Sequence, residues 1–203
     1  MITALILAAG RSRRMGSPKL LLTLRGQTLL GRVIAAARAS RCDDVLVVLG
    51  EMADRVGQEP VAAGIRTILN RRYREGMGTS IAAGISALPP QCEAAVVLLA
   101  DQPCLGADTI DALIDTYRAT GKPLVASRYG NVVGAPTLIA RPLFAEAAAL
   151  SGDVGARPLI TKHPDLVAEV PIRPEASWDV DTPEDLARLT QIAEGESSPH
   201  TSQ

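Results

Sequence analysis

Aromatic residues are nearly missing from this chain, at 2% of 203 residues. Its core must therefore be built from Ala, Leu, Val and Ile. Histidine is scarce as well: His163 and His200 are the only two, and no general base stands out. Cysteines number three, Cys42, Cys92 and Cys104, far apart and without a C-x-x-C pair. They read as reduced thiols of a cytoplasmic protein. No apolar run is long enough to span a membrane; the opening stretch Ile2–Ala9 is far too short, and no charged segment precedes it. The net charge of −1 carries no general attraction to nucleic acid or to a membrane surface.

What is present is ordinary globular material, 47% hydrophobic and 21% charged. The length suits one domain, placed at residues 1–193, and the polar tail EGESSPHTSQ at 194–203 has no periodicity. Three continuous apolar runs predict strands buried on both faces: TALILAA (3–9), DVLVVLG (44–50) and EAAVVLLADQP (93–103). IRTILN (65–70), PLVASRY (123–129) and APTLIA (135–140) read as further strands. Helical spacing predicts helices at 27–40 with Thr28 as a cap, 79–88, 106–120 capped near Asp108, 141–150 and 182–195, and a short one near 52–58. Strands alternating with helices predict an α/β fold, a doubly wound and mostly parallel sheet. Ligands of such sheets bind beyond the carboxyl ends of the strands, where both the loop 10–19 and the stretch 100–104 fall.

The loop LAAGRSRRMGSPK carries Arg11, Arg13, Arg14 and Lys19 together with two glycines, in a chain with no overall basic excess. It is neither a Walker A motif nor G-x-G-x-x-G. It still has what an anion site needs. Gly10 and Gly16 let backbone N–H groups approach a ligand, and Arg14 and Lys19 can add charge-assisted hydrogen bonds to phosphate. A solvated basic turn is the plain alternative. Asp101 follows the run VVLLA, as a turn residue or as a metal ligand. In DVDTPEDL (179–186), Asp181 or Thr182 can cap a helix with Pro183 in its first position, which leaves Asp179 and Asp181, alternating in a strand-like WDVD, unexplained.

Five segments in order carry a family resemblance: LAAGRSRRMGSPK, REGMGTSIAAGI (74–85), LLADQP (98–103), LSGDVGAR (150–157) and DVDTPEDL. The chain resembles the MocA-like molybdenum cofactor cytidylyltransferases of the MobA-like NTP transferase superfamily, over nearly all of residues 3–189. The resemblance implies a Rossmann-like, GT-A-like fold and transfer of CMP from CTP to the phosphate of a molybdopterin-type acceptor, with release of pyrophosphate. It implies nucleotide contacts from Leu7, Ala8, Ala9, Gly10, Arg14, Lys19, Gly76, Gly78 and Ser80, with Arg14, Lys19 and Asp101 catalytic. Asp101 and Asp181 would hold Mg²⁺, and Asp153 and Arg157 would meet the acceptor; a loop salt bridge between these two is the alternative. LAAG resembles the cytidylyl branch where LAGG resembles the guanylyl one, so a methyl at Ala9 favours CTP over GTP. Ala135 stands where many relatives carry His before Pro, a departure on the acceptor side. A sugar or polyol phosphate acceptor, or a non-catalytic binder of nucleotide or cofactor, are the rival readings, and a molybdenum hydroxylase is the natural recipient of the product.

Overall fold

The computed structural model describes residues 1–10, 19–51, 53 and 64–195. Its first strand, β1 (Ile2–Ala8), is buried at every position. The alternation of a strand sends its side chains to two cores. Ile2, Ala4, Ile6 and Ala8 join one cluster, together with Val33 and Ile34 of α1 (Leu29–Ala39) and Ile110 and Leu113 of α3 (Ala107–Thr120). Leu5 and Leu7 join the other, with Ile81 and Ile85 of α2 (Met77–Ser86). Helices thus cover both faces of the sheet, which is why the strand reads as an unbroken apolar run. No aromatic residue lies in these buried sets.

The main sheet has seven strands. Besides β1 they are β4 (Asp44–Leu49), β5 (Arg66–Leu69), β6 (Ala94–Leu99), β7 (Leu124–Tyr129), β8 (Val132–Ala140) and β9 (Val167–Pro171), in the order β5-β4-β1-β6-β8-β7-β9. All neighbours pair parallel except β8, which runs antiparallel to β6 and β7. β2 (Thr23–Leu24) and β3 (Gln27–Thr28) form a separate small hairpin, and Thr28 also caps α1 by accepting from the Gly31 N–H at 3.0 Å.

Four expectations need correction or extension. Helix α3 is capped by Gly106 without a side-chain bond, and Asp108 in its first turn instead reaches Arg173 at 3.3 Å. The stretch 141–150 is a 3₁₀ turn, Arg141–Leu143, followed by one short helix, α4 (Phe144–Ala147). Helix α5 (Arg157–Lys162) and strand β9 were not anticipated. The helix expected near 52–58 falls mostly outside the described residues.

All three cysteines are free. Burial is the chief force raising the Cys42 thiol, to about 11. Only about one thiol in a thousand is then ionised at pH 8. Native protein treated with iodoacetamide at that pH is expected to leave Cys42 and the buried Cys92 unlabelled in peptide mass maps, with both labelled after denaturation. Rapid native labelling of Cys42 would contradict the burial argument.

Candidate active site

β1 and β6 lie side by side and parallel, so their carboxyl ends share one edge of the sheet. The turn after β6 is held to β1 by the Ala100 N–H donating to the Leu7 carbonyl at 3.2 Å. Asp101 is the next residue. Lys19 opens a 3₁₀ turn, Lys19–Leu21, anchored by buried Leu20. A third segment reaches the same place from far along the chain. Val180 is fully buried against Leu24, Leu29 and Leu189, and its N–H donates to the Asp101 carbonyl at 3.1 Å. This anchor plants Asp179 and Asp181 on either side of it. The strand-like reading of WDVD is therefore wrong: residues 178–181 form no strand, and the alternation reports one buried valine between two acids.

The capping question also resolves. The Asp185 carboxylate accepts from the Thr182 N–H at 2.8 Å and the Asp181 N–H at 3.1 Å, while the Thr182 hydroxyl accepts from the Asp185 N–H at 3.2 Å. This reciprocal cap starts α6 (Pro183–Gly195) and leaves the Asp181 side chain to the site.

There the Lys19 ammonium donates to Asp101 Oδ2 and Asp181 Oδ1, at 2.7 Å each. Burial pulls the Lys19 pKa down, but the charge and hydrogen bond of Asp101, joined by Asp181, outweigh it and hold the ammonium above its ordinary value. Asp179 lies on the other side. Burial above all, reinforced by the charge of Asp101, pushes its carboxyl up to about 6, against a 2.9 Å hydrogen bond from Gln102 Nε2. The Gln102–Asp179 pair escaped the sequence reading. A bond between residues 77 apart leaves no local signal.

Asp179 and Gln102 also line a cavity of about 710 Å³, shared by α2, β6, β8 and α5. Asp153 and Arg157 line it too, along with Ala135. The alternative of an Asp153–Arg157 salt bridge fails: among the described residues the two form no ion pair.

The glycine segment packs closely against a second loop. A Cβ on Gly76 would lie 2.3 Å from the Gly152 carbonyl carbon, and one on Gly78 2.8 Å from the Ser151 nitrogen. The Gly78 N–H donates to the Gly152 carbonyl at 2.8 Å. These glycines are thus required where α2 meets the 151–153 backbone. Ser80 is buried and accepts from Asn70 Nδ2 at 3.0 Å. At the end of β1, Leu7, Ala8 and Ala9 are buried, with the Ala9 methyl packed beside Gly50; Gly10 is exposed, with open space where a Cβ would be. Arg14 and the rest of the basic loop at 11–18 lie outside the described residues.

Two carboxylates aimed at one cationic point are hard oxygen donors of the kind Mg²⁺ or Mn²⁺ takes, since such ions use one or two carboxylates and fill the remaining positions with phosphate and water. No group of three or more ligand-type side chains forms a closed metal cage among the described residues. Asp101 and Asp181 fit such an ion as two of its oxygen ligands.

Sheet, strand-end carboxylates and adjoining cavity together define an α/β nucleotidyltransferase. The chain belongs to the family of the MobA-like NTP transferase domain, whose model matches residues 4–167. It is 32% identical to the nicotine blue oxidoreductase of Paenarthrobacter nicotinovorans, over 93% of this chain and 96% of that one. Among solved structures it resembles the Rv0371c homologue of Mycobacterium sp. strain JC1, with 33% identity, TM-score 0.84, and 97% and 98% of the two chains covered. It also resembles Rv0371c of Mycobacterium tuberculosis H37Rv in complex with manganese, with 30% identity, TM-score 0.78, and 94% and 98% covered.

Proposed function

We propose that this chain transfers CMP from CTP to the phosphate of a molybdopterin-type acceptor, releasing pyrophosphate. The observation that carries the reading is the meeting of Lys19, Asp101 and Asp181 at the carboxyl end of β1 and β6, next to a cavity with room for a second substrate. Gly10, with its neighbours in the loop, offers backbone to the triphosphate, and Arg14 and Lys19 counter charge on the α-phosphate and on departing pyrophosphate. Asp101 and Asp181 would hold Mg²⁺, which supplies charge neutralisation across the phosphates when bound. Arg157 and Asp153 orient the acceptor at the far wall. A phosphate nucleophile is already ionised near neutral pH, so the reaction needs no general base.

The preference for CTP rests on the LAAG resemblance. Pyrophosphate release, measured with CTP and with GTP on the same molybdopterin acceptor, is expected to favour CTP. A one-methyl difference in a pocket supports about 10–200-fold discrimination. Equal or greater use of GTP would remove the cytidylyl assignment, and release with a sugar phosphate alone would move the acceptor.

A second reading comes from the relative named as an oxidoreductase. The first loop has no G-x-G-x-x-G, which speaks against a nicotinamide dinucleotide there. Turnover of NADH in the absence of any NTP would favour that reading over transfer.

A further inference from the structure

Lys19 holds the same two carboxylate oxygens that the proposed metal needs. Its Nζ stands 2.7 Å from Asp101 Oδ2 and 2.7 Å from Asp181 Oδ1. Two oxygens equidistant from one nitrogen at that range are no more than about 5.4 Å apart, twice the hydrogen-bond length. A divalent ion held by both carboxylates would have to draw on the oxygens that the ammonium already engages. The lysine is largely buried, at 12% side-chain exposure, so it does not simply wave in solvent beside the acids. A third carboxyl, Asp179, adds negative potential without sharing either contact. Ammonium and metal would therefore compete for the same two carboxylate oxygens.

We infer that Lys19 is a built-in competitor of the metal, which makes metal binding conditional on the nucleotide. The triphosphate offers the ammonium another set of anionic oxygens, close to the loop that Lys19 ends. When the ammonium moves to phosphate, both carboxylates are released to the metal. Metal and NTP therefore bind together, and metal alone binds poorly. No bond is made or broken in this exchange; one cation replaces another between the same oxygens. The inference rests on the assignment of Asp101 and Asp181 as metal ligands, but not on the identity of the base or the acceptor.

The test is Mn²⁺ binding without nucleotide, followed by the electron paramagnetic resonance signal of free Mn²⁺. Lys19→Met is expected to bind Mn²⁺ about tenfold or more tightly than the native protein, the scale of one lost competing contact. Lys19→Arg keeps the positive charge and is expected to bind as weakly as native. Asp101→Ala in the Lys19→Met background is expected to remove the gain. A Lys19→Met protein with native or weaker Mn²⁺ affinity would overturn the inference.

A second measurement needs no variant. The chain has three lysines, Lys19, Lys122 and Lys162, so acetylation of each can be followed by mass. Saturating CTP and Mn²⁺ are expected to change the labelling of Lys19 relative to Mn²⁺ at low concentration, and raising Mn²⁺ alone to saturation is expected to increase it as the ammonium is displaced. Lys122 and Lys162 serve as controls. Lys19 labelling that stays constant while Mn²⁺ fills the site would also overturn the inference. Either result is independent of turnover: a protein that shows the competition but never releases pyrophosphate keeps this inference and loses the transferase reading.

Discussion

Asp101→Ala is expected to lower kcat for pyrophosphate release by at least about a hundredfold, the scale of losing one charge-stabilising group from a transition state. The reason lies in where the residue sits. Asp101 follows the buried end of β6, in a turn that its backbone helps to hold through the Ala100–Leu7 and Val180–Asp101 hydrogen bonds. Those bonds use main-chain atoms and survive the substitution. The carboxylate itself is only part-buried and faces Lys19, not the core. Removing it leaves Lys19 with Asp181. The melting temperature is therefore expected to move by only a few degrees, about 1 kcal/mol at this chain length. A variant that keeps a tenth or more of native turnover would take Asp101 out of the catalytic set. A variant that fails to melt cooperatively would place it in the fold instead.

Gly76→Ala is expected to be the most destabilising single-methyl change near the site. Gly76 has φ of 109°, in the left-handed region that a side chain strains. The added methyl would also lie 2.3 Å from the Gly152 carbonyl carbon and 2.5 Å from the Asp153 nitrogen. Both obstacles are backbone and cannot rotate aside. Strain of about 1–3 kcal/mol from the dihedral and a similar cost from overpacking give about 2–6 kcal/mol together. For a chain of this length that is a melting temperature lower by roughly 4–24 °C. Gly10→Ala is the comparison. Its methyl meets nothing within 4 Å, so stability is expected to stay within about 0.5 kcal/mol. Calorimetry on the two variants checks the argument, and equal melting points would defeat it.

The parts of this fold that can be read from sequence are those whose burial is continuous. β1, β4 and β6 are almost continuously apolar because helices cover both faces, and α1 and α3 are long enough to show a face. Strand β9 is not legible, because it sits at the sheet edge, half-exposed, with Glu169 in its middle. Helix α5 has six residues, too few for periodicity, and β2 and β3 have two each. The acidic segment misled for a related reason. WDVD alternates as a strand does, but Val180 is buried in a small cluster of its own with Leu24, Leu29 and Leu189. Alternation records which side chains are hidden, not what hides them. Within the site, Lys19, Asp101 and Asp181 were picked out by likeness to a family, and the fold brings all three within hydrogen-bond reach. The setting of Asp179 is not legible in sequence, since its partner Gln102 lies on a distant turn.

The contact between α2 and residues 151–153 has a consequence for anyone who would re-engineer this protein. The two segments meet backbone to backbone, through Gly76, Gly78 and the Gly78–Gly152 hydrogen bond, with no side chain between them to absorb a misfit. The loop that lines the cavity with Asp153 is therefore not an interchangeable module. A replacement taken from a relative with a different acceptor would need the matching residues 76–78 from the same donor. Chimaeras exchanged at both places should fold where single exchanges fail, so these two stretches of the chain can be changed only as one unit.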